Sequence, residues 1–74
     1  MVTLNEIREK MVEAIRNSGM SQVEIAAMLG IAQPTVAQYL SGRAMPALDT
    51  FANLCIVLDL DAAEILCINE NKKY

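Results

Sequence analysis

Residues Gln22 to Ser41 read QVEIAAMLGIAQPTVAQYLS, and this stretch decides the fold. Its spacing predicts a short helix, a turn at Gly30 and a second helix that crosses the first steeply. Such a crossing restricts particular positions. Ala26 must be small where the helices approach, Gly30 must take the turn, and Ile25, Leu29, Ile31, Val36 and Tyr39 must be apolar to lock the pair. Every one of these positions complies.

The same punctuation extends outward along the chain. Gly19, Gly30 and Gly42 each follow an apolar-periodic run, where a left-handed residue ends a helix. Helix starts are marked by Thr3-x-x-Glu6 and Ser21-x-x-Glu24, which are capping boxes, and by Asp61-x-x-Glu64, an acidic version. Apolar pairs flank each start: Val2 with Ile7, Met20 with Ile25, Leu60 with Ile65. Together these signals predict five helices, at 3–17, 21–29, 32–41, 47–58 and 61–68, and no strand. Leu4, Ile7, Met11 and Ile15 in the first helix, and Leu48, Phe51, Ala52, Cys55 and Leu58 in the fourth, are the expected core stripes. Pro46 is expected to open the fourth helix and Pro34 to sit in the first turn of the third. The fold class is therefore all-α, one domain over 1–74, with an ordered core at 3–68 and a polar tail at 69–74.

Composition excludes several functional classes. The chain has 74 residues, 54% of them hydrophobic, with a net charge of −3. That length holds one small domain, which buries only about 60% of its unfolded surface. The longest unbroken apolar run, Leu54 to Leu58, is far short of the roughly 20 residues of a membrane span. Charged residues near the N-terminus, Glu6 to Lys10, replace the apolar run of a signal peptide, so a cytoplasmic location is expected. With no His, and no Ser, Cys or Lys in a catalytic setting, no enzyme activity is expected. Cys55 and Cys67 lie at helical spacing among apolar residues and are expected to be buried reduced thiols, with no metal site and no cofactor. No small-molecule ligand is implied.

The third helix points to nucleic acid. With Val36, Tyr39 and Leu40 turned inward, its outer face is Gln33, Pro34, Ala37, Gln38 and Ser41, which carries no charge. A solvated helix face normally carries Lys or Glu. Glutamine amides can pair with adenine N6 and N7 in the major groove, and Ala37 or the Pro34 ring can touch a thymine methyl. Phosphates can be held by helix N-termini, hydroxyls and amides as well as by cations. Candidates are Ser21 with the N–H groups that follow it, Gln22, Thr35, Ser41, Arg43 and Asn17.

Residues 22–41, followed by SGRAMPALDTFANLCIVLDL, resemble the helix-turn-helix and the G-x-x-x-P segment of the lambda repressor-like family of phage repressors, Cro proteins and Xre-type regulators. The resemblance spans about residues 4–68. It implies a five-helix DNA-binding domain in which Gln33 reads a base and Gln22 contacts phosphate. Where some relatives carry an arginine–glutamate pair between helices one and three, this chain has Ile15 and Leu40, an apolar pair free of the desolvation cost of buried charge.

The acidity has a location. Residues 1–20 and 21–46 are each neutral overall, and residues 47–74 hold the net −3. The expected DNA-facing half is thus neutral, so non-specific attraction is weak while specific binding remains open. The expected partner is a double-stranded DNA operator with inverted-repeat symmetry, bound by a homodimer pairing through Ile65 and Ile68. The competing reading is a protein-interaction module on the same scaffold, such as a regulator's partner, antagonist or antitoxin.

Overall fold

The computed structural model describes residues 1–69, and their secondary structure is five helices: α1 (Leu4–Asn17), α2 (Gln22–Leu29), α3 (Gln33–Ser41), α4 (Leu48–Leu58) and α5 (Ala62–Ile65). The chain is all-α, as expected. Residues 70–74 of the expected polar tail lie outside the described residues; Asn69 is an exposed turn residue.

Three of the helices, α1, α2 and α5, begin at a residue whose side chain caps them. The Ser21 Oγ accepts from the Glu24 N–H at 3.1 Å, and the Glu24 carboxylate accepts from the Ser21 N–H at 3.2 Å, a complete capping box. At Thr3 only half of the box forms. Its Oγ1 accepts from the Glu6 N–H at 3.2 Å, but the Glu6 carboxylate takes the Thr3 hydroxyl at 3.1 Å in place of the backbone N–H. Asp61 accepts from the N–H groups of both Ala63 and Glu64. Pro46 does not open α4: Ala47 is the N-cap, so the proline lies one residue before it.

The helices end on left-handed residues. Gly30 at φ +69° and Gly42 at φ +80° let the following N–H groups, of Ile31 and Arg43, reach back to the carbonyls of Ala26 and Gln38, both at 3.0 Å. Asp59 and Cys67 close α4 and α5 in the same way without glycine, at φ +53° and +62°. Their closing bonds are Leu60 N–H to Cys55 C=O at 2.8 Å and Ile68 N–H to Ala63 C=O at 3.0 Å. This second closure corrects the expected fifth helix of 61–68: the helix stops at Ile65 because Cys67 turns the chain.

The core gathers one or more side chains from every helix: Met11, Ile15, Ile25, Val36, Tyr39, Phe51, Leu54, Cys55 and Ile65 are buried. Removing one large apolar side chain from such a core costs about 2–5 kcal/mol. Two expected stripes need correction. Leu4 is exposed at the first turn of α1, and in α4 both Leu48 and Ala52 face outward while Leu54 is fully buried. The inward stripe of α4 is thus Phe51, Leu54, Cys55 and Leu58.

Candidate nucleic-acid interface

Packing of α2 against α3 positions the interface. Ala26, with almost no exposed surface, sits in the buried core with Ile25, Val36 and Tyr39, and Leu29 and Ile31 pack against that core from its margin. A larger side chain at Ala26 would wedge the pair apart. With Val36 and Tyr39 anchored inward and Leu40 packed at the core margin, the helical period turns Gln33, Pro34, Gln38 and Ser41 out.

Gln33, Pro34 and Gln38 are exposed, and Ala37 is half-buried between them. All four belong to the same outer face, since Gln33 and Ala37, like Pro34 and Gln38, stand one turn apart. Pro34 occupies the first turn of α3, and Ala32, its N-cap, offers no side chain to bond the first N–H groups. The start of α3 is therefore a neutral, uncapped helix end bearing an exposed amide.

The phosphate candidates divide by surroundings. Ser21, Asn17, Ser41 and Arg43 are exposed, and Gln22 and Thr35 are half-buried. The Ser21 oxygen is already committed as an acceptor to the Glu24 N–H, which leaves its proton to donate. Ser41 donates its hydroxyl to the Gln38 carbonyl at 3.1 Å, so it must exchange that bond to donate to a phosphate. Ile15 and Leu40 both pack in the apolar core, Ile15 fully buried and Leu40 at its margin.

A groove at this edge is not legible in the sequence. Arg8, Val12 and Arg16 recur every four residues on α1, and line a groove with Leu40, Ser41 and Gly42 at the end of α3. The groove brings two arginines to the C-terminal end of α3, with Glu9 and Glu13 also lining it. Arg8 donates through Nη1 to Asn5 Oδ1 at 2.8 Å, while its Nε is buried without a partner. The i, i+4, i+8 spacing was the available signal, but it does not say which neighbouring helix the row faces.

The helix-turn-helix family profile matches residues 12–65, a span that contains α2, the Gly30 turn, α3 and α4. The chain belongs to the lambda repressor-like helix-turn-helix family. It is accordingly a DNA-binding helix-turn-helix regulator. No curated protein and no solved structure matches the chain. Among the described residues of this helix-turn-helix protein, no helix is long and apolar enough to cross a membrane, and no group of three or more acidic or Cys side chains is placed to hold a metal ion.

Proposed function

We propose that the protein is a sequence-specific repressor of the phage or mobile-element type, which lays α3 in the major groove of an operator and occludes a promoter. The observation that carries this reading is the uncharged outer face of α3, where Gln33, Pro34 and Gln38 are exposed on a helix whose other side is locked into the core. In this reading Gln33 and Gln38 pair with base edges, Pro34 and Ala37 contact thymine methyls, and Gln22, Ser21, Thr35, Ser41, Arg43 and Asn17 hold phosphates in register.

One recognition helix covers a short half-site, so the reading includes a homodimer on an inverted repeat, in the cytoplasm. Ile65 is 3% exposed and fills the core of its own subunit, whereas Ile68 is 51% exposed just beyond the α5 turn. The pairing surface in this proposal is therefore built on Ile68. Selection of bound duplexes from a random DNA pool tests the whole reading. A consensus with two-fold symmetry is the expected result, and recovery without any sequence preference would sink it in favour of a protein-docking module.

A further inference from the structure

The outward face of α4 carries the two most exposed large apolar side chains within the described helices, and neither the core nor the α3 reading face uses them. Leu48 is 87% exposed and Ile56 76% exposed, and Ala52 is exposed between them. Spaced at i, i+4 and i+8, these three form one stripe along the helix. Large aliphatic side chains standing this far into water, in a row, mark a contact surface more often than scattered apolar residues do.

Charge says what kind of partner fits. Asp49 in the first turn of α4 and Asp59 at its C-cap flank the stripe at the two ends of the helix, and both are exposed. From residue 47 to residue 69 the chain carries four acids, these two with Asp61 and Glu64, and no Lys or Arg. A second copy laid two-fold against this face would set acid against acid. A segment with leucine-like side chains flanked by lysines would cover the stripe and neutralise its ends.

We propose that α4 docks a partner protein through a cationic amphipathic helix seated on Leu48, Ala52 and Ile56, with its lysines or arginines at Asp49 and Asp59. The surface shares no residue with the α3 reading face. The proposal does not depend on the operator reading.

A 14-residue amphipathic peptide of leucine and lysine, titrated into the isotope-labelled full-length chain, tests it. The expected result is saturable amide shifts centred on residues 47–59 with 1:1 stoichiometry. Binding should weaken at least tenfold in the Leu48→Ser/Ile56→Ser double variant and in Asp49→Asn/Asp59→Asn, while thermal unfolding of both variants stays close to the parent. Asparagine preserves the acceptor that bonds the Thr50 N–H and tolerates the left-handed backbone at residue 59, so these changes leave the fold in place. A peptide with glutamate in place of lysine should not bind. Equal binding by the serine variant, shifts centred on another helix, or sedimentation showing that Leu48→Ser/Ile56→Ser turns a dimer into a monomer would each overturn the proposal, the last by assigning the face to a second copy.

Discussion

Arg8 and Gly42 touch across the seam between α1 and α3: a Cβ added to Gly42 would stand 3.1 Å from the Arg8 Cδ. Gly42 also holds a φ of +80°, so two costs act on Gly42→Ala, the left-handed backbone and the displaced Arg8 stem. Gly30 has φ +69° with open space around the missing Cβ, and only the first cost applies there. Gly30→Ala should lower the unfolding free energy by about 1–2 kcal/mol. Gly42→Ala should lower it further, with the excess disappearing in an Arg8→Ala background. Urea unfolding of the single and double variants measures this coupling, and equal losses at both glycines would show that Arg8 yields freely.

That seam illustrates what the sequence made legible. Residues with a local signature were read correctly: Ser21 and Asp61 cap, Gly30 and Gly42 turn, and Val36 and Tyr39 face inward. Misreadings arose where a choice depended on neighbours distant in sequence. Leu48, Ala52 and Leu54 are all apolar residues of one helix, so the pattern admits two overlapping stripes, and the structure buries the one through Phe51, Leu54, Cys55 and Leu58. Asp59 and Cys67 take positive φ although neither residue type announces it as glycine does. Of the candidate site, the outer face of α3 was legible from helical period, while the groove formed by Arg8, Arg16 and Gly42 depends on tertiary contact.

Cys55 is a second place where packing sets chemistry. Burial, and then the negative charge of Asp61, push its thiol pKa above the ordinary value of 9.0. Between the unfolded and folded values the native state holds the extra proton. Its stabilising contribution is therefore complete below about pH 9 and is lost as pH rises through the folded pKa. The urea midpoint should fall more steeply with alkaline pH in the parent than in Cys55→Ala. Parallel pH profiles would remove this thiol from the account.

Base reading is tested on the α3 face directly. Gln33→Ala should cost about 1–3 kcal/mol on a selected operator and relax preference at one base pair, with helical content unchanged because the side chain is exposed. Gln38→Ala should act at a different pair. Competition binding against single-base operator variants separates the two, and undiminished affinity in both variants would show that another surface reads the site.

The dimer proposal gives a coupled expectation. If subunits pair through Ile68, the two α3 helices meet successive major grooves about 34–36 Å apart, and Ile68→Asp should weaken self-association and operator affinity together. The domain should still fold, since Ile68 is 51% exposed in the monomer. Sedimentation and DNA titration on the same preparation check both halves, and unchanged assembly with unchanged affinity would discard this pairing.

Salt dependence draws on the charge map. Arg43, just past the end of α3, and the groove arginines, Arg8 and Arg16, are the cations this proposal uses among the described residues, and residues 47–69 add none. Each neutralised phosphate contributes about 0.9 to the log–log slope of affinity against salt, so a dimer should show a slope of about 3–6. Arg43→Ala should reduce the slope by about 2 in the dimer, one phosphate from each subunit, and should do so equally for a selected and a scrambled duplex. Gln33→Ala should leave the slope alone and lower affinity only for the selected duplex, because an amide on a base edge releases no counterion. Titration of both duplexes at several salt concentrations therefore assigns each residue to phosphate or base. A Gln33→Ala loss that shrinks with added salt, or an Arg43→Ala loss confined to the selected duplex, would reverse the assignment.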